Sequence, residues 1–381
     1  PQGCPPQQQD PARQQQVRLA FRAPPSYSAA MKKHSPPASL SVSLRLTFAA
    51  LILCAGLLVT AAPPAATVPV NPILPADYLG WTNAFRLQNE QLEAVIVPAL
   101  GRLVWLAPAG GASPLRMDAN LQGRTPTAEE PFFNIGGDWL WPVAQARWPA
   151  LSENKSDWPP PPVLADGPWQ CSAWIDADDA QCARLTRAYG PPLNMVASRL
   201  FRLRPQSEEL TIHQRIERTG PSDIPVVLWN VSQIANAQQI ILPTDPQSRF
   251  PKGLKTLMGG KPPRGSVKKC DAAAIYTVRP GAETKLGSDS PRAWIAATKD
   301  ETLIVETAVT AATGAYPDGG CVVEVYSNSG LGYSEIETLS PEAPLAPGTV
   351  LENTLTIRLA PAPAVSTPCD VATAAQALAE Q

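Results

Sequence analysis

From about residue 78 onward the chain alternates apolar and polar residues with a period of two. In "EELTIHQRIERTG", Leu210, Ile212 and Ile216 alternate with Thr211, His213, Arg215 and Glu217, and "SRLFRLRP" alternates apolar with basic residues. Successive side chains of a strand point to opposite faces, so this period demands strands with one dry face and one wet or functional face. The pattern continues through "IPVVLWNVSQI", "AWIAATKDETLIVETAV", "GCVVEVYSNSG" and "VLENTLTIRLAP", with "RTGPSD", "TKDE" and "YPDGG" as turns between. The 44 prolines in 381 residues, more than twice a usual ~5%, work against long helices, whose interior a proline disrupts. Only "DVATAAQALAE" has a helical look, and after "PAPAVSTP" it reads as a tail and not as part of the core. Many strands without intervening helices imply sheet packed on sheet, an all-β fold.

The N-terminal part reads differently. Residues 1–30, rich in Pro and Gln, have no apolar period and cannot bury enough surface to order themselves. They read as a disordered segment or as upstream sequence misread into the protein. Met31, Lys32 and Lys33 then precede an apolar run from Leu46 to Ala62, with small residues after it. A basic start, a short apolar stretch and small residues form a secretory signal, expected over 31–66 and cut from the mature chain. The run's seventeen residues lie at the short edge of the roughly 17–25 needed to span a bilayer. Cleavage is therefore expected, with no stable membrane span afterwards and a periplasmic or secreted protein. A Pro/Ala-rich linker is expected over 67–77, the β-rich domain over 78–360, and a tail with a short helix over 361–381.

Lysine and arginine number 31 against 33 acidic residues, and nothing in that balance suits nucleic acid, which needs clustered positive charge. Export permits disulfides. Cys171, Cys182, Cys270, Cys321 and Cys369 remain after cleavage, and Cys171 and Cys182 could staple a hairpin. The odd number leaves at least one thiol unpaired unless chains pair with each other. Asp176, Asp178 and Asp179 in "CSAWIDADDAQC" offer oxygen donors but lack the glycine and distal glutamate of a calcium loop. A solvated hairpin tip is expected there, and no metal or cofactor. The basic stretch "RFPKGLKTLMGGKPPRGSVKKC" reads as a mobile polar loop.

Three segments carry a resemblance. "LQNEQLEAVIVPALGRLVWL" resembles the opening of the galactose mutarotase-like superfamily, "RIERTGPSDIPVVLW" its middle, and "YSEIETLSPEAPLAPGTVLENTLTIRL" its ending. "GGDWLWP" is similar to the Gly-Gly and Trp-Pro pattern of the bacterial DUF4380 family. The resemblance covers most of 78–360. It implies a β-supersandwich of two large antiparallel sheets that holds a sugar on one face, with a glutamate base near the C-terminus and a histidine acid.

Mutarotation opens a cyclic aldose by removing the anomeric proton while the ring oxygen is protonated, so a base and an acid must both reach the sugar. Glu335 and Glu337 share one face of their strand, opposite Ile336, and the resemblance favours Glu337 as base. The strand on which the superfamily carries its histidine reads "PVVLWNVSQI" and has none. The sole histidine of the mature chain, His213, lies on the preceding strand, and Asp138 is the substitute acid. For binding, Asn134, Gln145, Asn230 and Gln233 offer amides to sugar hydroxyls, Arg102 a further donor, and Glu335 an acceptor. Six of the ten tryptophans fall between Trp139 and Trp174. Trp139 and Trp141 suit the apolar face of a sugar, with Gly136-Gly137 giving a ligand close approach. Trp148, Trp158 and Trp169 read as core. The expectation is a monomeric, exported saccharide-recognising protein, either an aldose epimerase or a non-catalytic carbohydrate-binding or structural envelope protein.

Overall fold

Alternating strands sort themselves by burying their apolar faces together, and here they do so as two ten-stranded antiparallel sheets. The computed structural model describes residues 71–165, 167–310, 314–364 and 367–381. The expected leader over 31–66 lies outside these residues. The first sheet begins with Ala76–Tyr78, Trp81–Gln88, Leu92–Val97 and Arg102–Pro108. It continues through Asp138–Trp141, Trp229–Ala235, Tyr333–Leu339, Val323–Asn328, Glu283–Ser288 and Lys255–Met258. The second has Val267–Lys269, Ala273–Thr277, Gln239–Pro243, Trp294–Lys299 and Thr302–Thr310 on one side. Val350–Pro361, Glu209–Arg218, Met195–Leu203, Gln181–Tyr189 and Gln170–Ile175 complete it.

The sequence periods hold. Met195–Leu203 and Glu209–Arg218 alternate buried and half-buried residues along their length, as does Val350–Pro361 between its exposed ends. The inner faces meet in one apolar core, with Leu140, Val325 and Ile336 from the first sheet and Phe201, Ile212 and Ile295 from the second. The basic stretch expected as a mobile loop instead supplies an edge strand to each sheet.

Two boundaries differ from the sequence reading. Within the expected linker, the Ile73 N–H donates to Ala173 O at 2.9 Å and the Ile175 N–H to Asn71 O at 2.9 Å, so pairing begins before residue 78. The expected tail is tied down. The C-terminal helix, Pro368–Ala379, starts with a capping box between Thr367 and Asp370. It buries Val371, Ala372 and Ala375 against Trp294, Ile241 and Leu303 on the outer face of the second sheet. A disulfide between Cys270 and Cys369, 99 residues apart, fastens its first turn. Cys171 and Cys182 are free because register sets Cys171 opposite Leu185 and Cys182 opposite Trp174.

Candidate functional site

One transverse row of the first sheet carries the chemistry. Gln233 pairs with Glu335, Glu335 with Tyr326, and Tyr326 with Lys285, so four polar side chains from four strands leave the same face. Ile336 points the opposite way into the core, and this face looks outward. Above the row lies a cavity of about 340 Å³, lined by Glu335, Lys285, Tyr326, Tyr333, Asn134 and Trp141 among others. That is the low end of the ~300–1,000 Å³ usual for small-molecule sites. Gln233 Nε2 donates to Glu335 Oε1 at 2.8 Å and Asn134 Nδ2 to the Tyr333 hydroxyl at 3.1 Å. Arg116 Nη1 donates to Gln233 Oε1 at 3.1 Å, to the Asn134 backbone O at 2.7 Å and to Asn134 Oδ1 at 3.4 Å.

Aromatic rings wall the cavity. Trp141 packs at 5.5 Å from Trp229 and 4.7 Å from Trp148, and Phe132 lies edge-on to Trp158 at 5.2 Å. Trp139 does not line the cavity. It is held between the Arg102 guanidinium, 3.7 Å from its ring, and Phe132, stacked at 5.8 Å. Arg102 also donates to Gly136 O at 2.7 Å and is fully buried, so it props the wall and does not offer itself to a ligand. Gln145 lines the cavity and donates to Asp157 O at 3.2 Å. Trp158, expected in the core, is instead 40% exposed at the cavity wall, whereas Trp148 and Trp169 are buried as expected.

A second row lies beneath the first, with Gly287, Glu324, Glu337, Val231 and Trp139 in register. Glu337 and Glu324 are fully buried there. Lys285 Nζ reaches back to both, at 2.9 Å from Glu324 Oε2 and 3.3 Å from Glu337 Oε2. Trp229 Nε1 donates to the same Glu337 oxygen at 2.8 Å. Burial and then the Glu337 charge push the Glu335 carboxyl up to about 7. Burial likewise raises Glu337, and lifts Glu324 to about 8 against the pull of Lys285. Burial alone would depress the Lys285 ammonium, but Glu324 and Glu337 carry it well above the ordinary lysine range. Of the two glutamates expected at the site, Glu335 lines the cavity, whereas Glu337, expected as the base, lies buried behind it against Lys285 and Trp229.

Asp138 and Asn230 belong elsewhere. Asp138 precedes Trp139 on the strand and so faces the other way, into the space between the sheets. It ion-pairs with Arg199 at 2.5 Å and accepts from Asn230 Nδ2 at 2.5 Å and Ser232 Oγ at 2.9 Å. Gln214 Nε2 and Arg199 Nη2 both donate to Asn230 Oδ1, at 2.7 and 2.9 Å. All of these side chains are fully buried. Beside them Glu306 is raised to about 8 by burial and then by the Asp138 charge. This network joins side chains of the two sheets, and Asp138, expected as the substitute acid, is buried within it and does not line the cavity. Gly136 and Gly137 serve the same packing: a Cβ on either would lie 2.1 Å from Arg116 O or 2.5 Å from Leu103 O. Neighbouring backbone, not a ligand, makes the close approach there.

His213 is half-buried on the outer face of the second sheet, opposite Thr354 and Leu200, far from this cavity. At the acidic hairpin Arg202 Nε donates to Asp176 Oδ2 at 3.0 Å and pairs with Asp178. Among the described residues no group of acidic, histidine or cysteine side chains is arranged to hold a metal, and no helix is long and apolar enough to cross a membrane. The sequence reading missed Lys285, Tyr326 and Tyr333. The strands of Tyr326 and Tyr333 were legible, but Glu283–Ser288, which carries Lys285, was not read as a strand, and the pairing order that brings it beside "VYSN" was not legible either.

No protein-family model and no curated protein matches the chain. Among solved structures the chain is similar to a galactose mutarotase-like protein from Clostridium acetobutylicum, with a TM-score of 0.49 and 10% identity over 76% of this chain and 99% of that one. It is similar to a galactose mutarotase-like protein from Lactobacillus casei, with a TM-score of 0.45 and 13% identity over 73% and 100% of the two chains. A TPR-domain containing protein from Parabacteroides distasonis gives a TM-score of 0.48 and 13% identity over 75% of this chain. The chain spans 50% of that protein's length. At these identities the likeness is one of fold, and fold does not assign an activity.

Proposed function

We propose that this protein recognises a saccharide in the cavity above Glu335. The observation that carries this is the combination of a sugar-sized, aromatic-walled cavity with a floor of converging amide, phenol, carboxylate and ammonium groups. A sugar needs both surfaces, since its C–H face packs on rings while its hydroxyls demand fixed donors and acceptors. Intrinsic tryptophan fluorescence tests it directly, because Trp141 and Trp158 line the cavity. Saturable quenching by an aldose that weakens in Glu335→Gln is the expected result, and no response to any common sugar would reject the proposal.

A second reading, aldose ring opening, is supported by Glu335 standing near neutrality, where a carboxylate both accepts and returns a proton. Glu335 would take the anomeric proton, with Lys285 hydrogen-bonded to the ring oxygen in place of a histidine. Against turnover stands the absence of a readily released second proton in the cavity. Lys285 is held well above its ordinary range, and burial raises Tyr326 and Tyr333 as well. Polarimetry decides: acceleration of anomer interconversion over buffer, abolished in Glu335→Gln, means an epimerase, and binding without acceleration means a lectin-like role. The finer likeness to the DUF4380 proteins rests on "GGDWLWP" alone.

Export is part of the proposal. The Met31-led signal and the Cys270–Cys369 disulfide both suit an oxidising compartment, the periplasm or the medium. N-terminal sequencing of exported protein that begins after residue 66 would support it.

A further inference from the structure

A second cavity, of about 610 Å³, adjoins the one above Glu335. The two share Phe132, and the chain passes from one to the other between Trp158, which lines the first, and Pro159, which lines the second. The second cavity is walled by the proline run Pro159–Pro162, whose backbone angles are pre-set, with Leu151 and Val163. Trp158 stands 40% exposed at the junction, its indole braced by Phe132 at 5.2 Å and by Trp148, stacked at 6.3 Å. A solvent-facing indole braced from behind costs apolar exposure that a stacked ligand face would remove. The charges are one-sided. Exposed Glu129, Glu153 and Glu130, the last paired with Arg124, line the second cavity, and Asp157, Glu283 and Glu335 the first. Lys285 is the one basic residue described as lining either, and it is already engaged by Glu324 and Glu337.

We infer that the ligand is an oligosaccharide of amine-bearing or uncharged units, not a free monosaccharide and not a uronate. One unit occupies the cavity above Glu335, the next passes over Trp158 and Phe132, and a further unit enters the acidic, proline-walled cavity. This rests on the saccharide reading above and names its substrate class. The like-charged rims disfavour carboxylate or sulfate groups and favour ammonium groups. Linked units gain by chelation once the first is held.

The test is a fluorescence titration with glucosamine and its β-1,4 trimer, glucose and cellotriose, and galacturonic acid and its trimer, at two salt concentrations. The trimers of glucosamine and glucose are expected to bind roughly tenfold or more tighter than their monomers. The glucosamine trimer should bind tightest and weaken with salt, and the uronate trimer should gain nothing over its monomer. Glu153→Arg with Glu129→Arg, both exposed and confined to the second cavity, should remove the glucosamine trimer's gain while leaving glucose affinity unchanged. Equal affinity for monomers and trimers, or a trimer gain indifferent to the double variant, overturns the inference while the saccharide reading stands. Tightest binding of the uronate trimer overturns the charge assignment. No response to any of the six sugars overturns both this inference and the reading beneath it.

Discussion

Lys285 Nζ lies 3.3 Å from Glu337 Oε2 although the two residues sit on strands separated by a third, Val323–Asn328. The lysine spans that strand because Gly287 presents no side chain in the row beneath, and Glu324, on the intervening strand, supplies a nearer oxygen at 2.9 Å. One ammonium thus holds two buried carboxylates under the cavity floor.

Lys285→Met leaves Glu324 and Glu337 buried without a cation. Removing one partner of a buried pair costs about 3–5 kcal/mol, and urea unfolding near neutral pH should show a loss of that order. The deficit should shrink as pH falls toward an ordinary carboxylate value of about 4.5, where the unfolded chain already carries these protons and folding need not take them up. An unchanged midpoint at pH 7 would contradict the ion-pair geometry.

Stability should fall as pH rises. Glu335 at about 7 and Glu324 and Glu306 at about 8 all stand above an ordinary 4.5. The folded chain therefore keeps protons that the unfolded chain has shed. The stabilisation is complete below about pH 4.5 and is lost as pH climbs through about 7 to 8. Melting curves from about pH 5 to 8.5 should show a declining Tm, and Glu306→Gln should flatten part of the decline.

Asp138→Ala separates packing from recognition. It strands the fully buried Arg199, at a cost of about 3–5 kcal/mol, while touching no group in the cavity. Tm should drop, yet the protein that remains folded should titrate with sugar as the parent does. A loss of affinity as large as that of Glu335→Gln would return Asp138 to the site.

Glu335→Gln should also remove the pH dependence of binding. With the parent carboxyl at about 7, affinity should change across neutrality, and the isosteric amide cannot titrate. A binding profile identical in the two proteins would assign that titration to another group.

Cys270→Ser should lower Tm substantially. Opening a closed loop of nearly a hundred residues is worth about 4–5 kcal/mol in the chain-entropy account, with 2–5 usual in practice. Adding a reductant to the parent should bring its melting curve toward that of the variant.

Period-two alternation made the strands readable and put Glu335 and Glu337 on one face. The same arithmetic, carried one residue further, separates Asp138 from Trp139 and Trp141, and Asn230 from Gln233, because odd spacings on a strand change face. What alternation lacks is the identity of the neighbouring strands. Lys285 joins the site only through Tyr326, over pairings 41 positions apart. Which face carries the cavity is likewise set by the covering segment between Met117 and Trp169, whose prolines and glycines have no period to read. Trp158 looked like core filler because indole usually is. How much of its indole stays exposed is set by where Phe132, Trp141 and Trp148 pack against it, a tertiary fact. The superfamily resemblance pointed to the strand that carries both glutamates, and of the two only Glu335 lines the cavity.

The disulfide-fastened helix gives the molecule a back. It covers the outer face of the second sheet, while the cavity above Glu335 opens from the outer face of the first. A tether or sensor surface attached to an exposed position of that helix would therefore grip the molecule on the side away from that cavity. Display on a bead or a cell through that helix should leave the cavity turned to the medium and free to titrate.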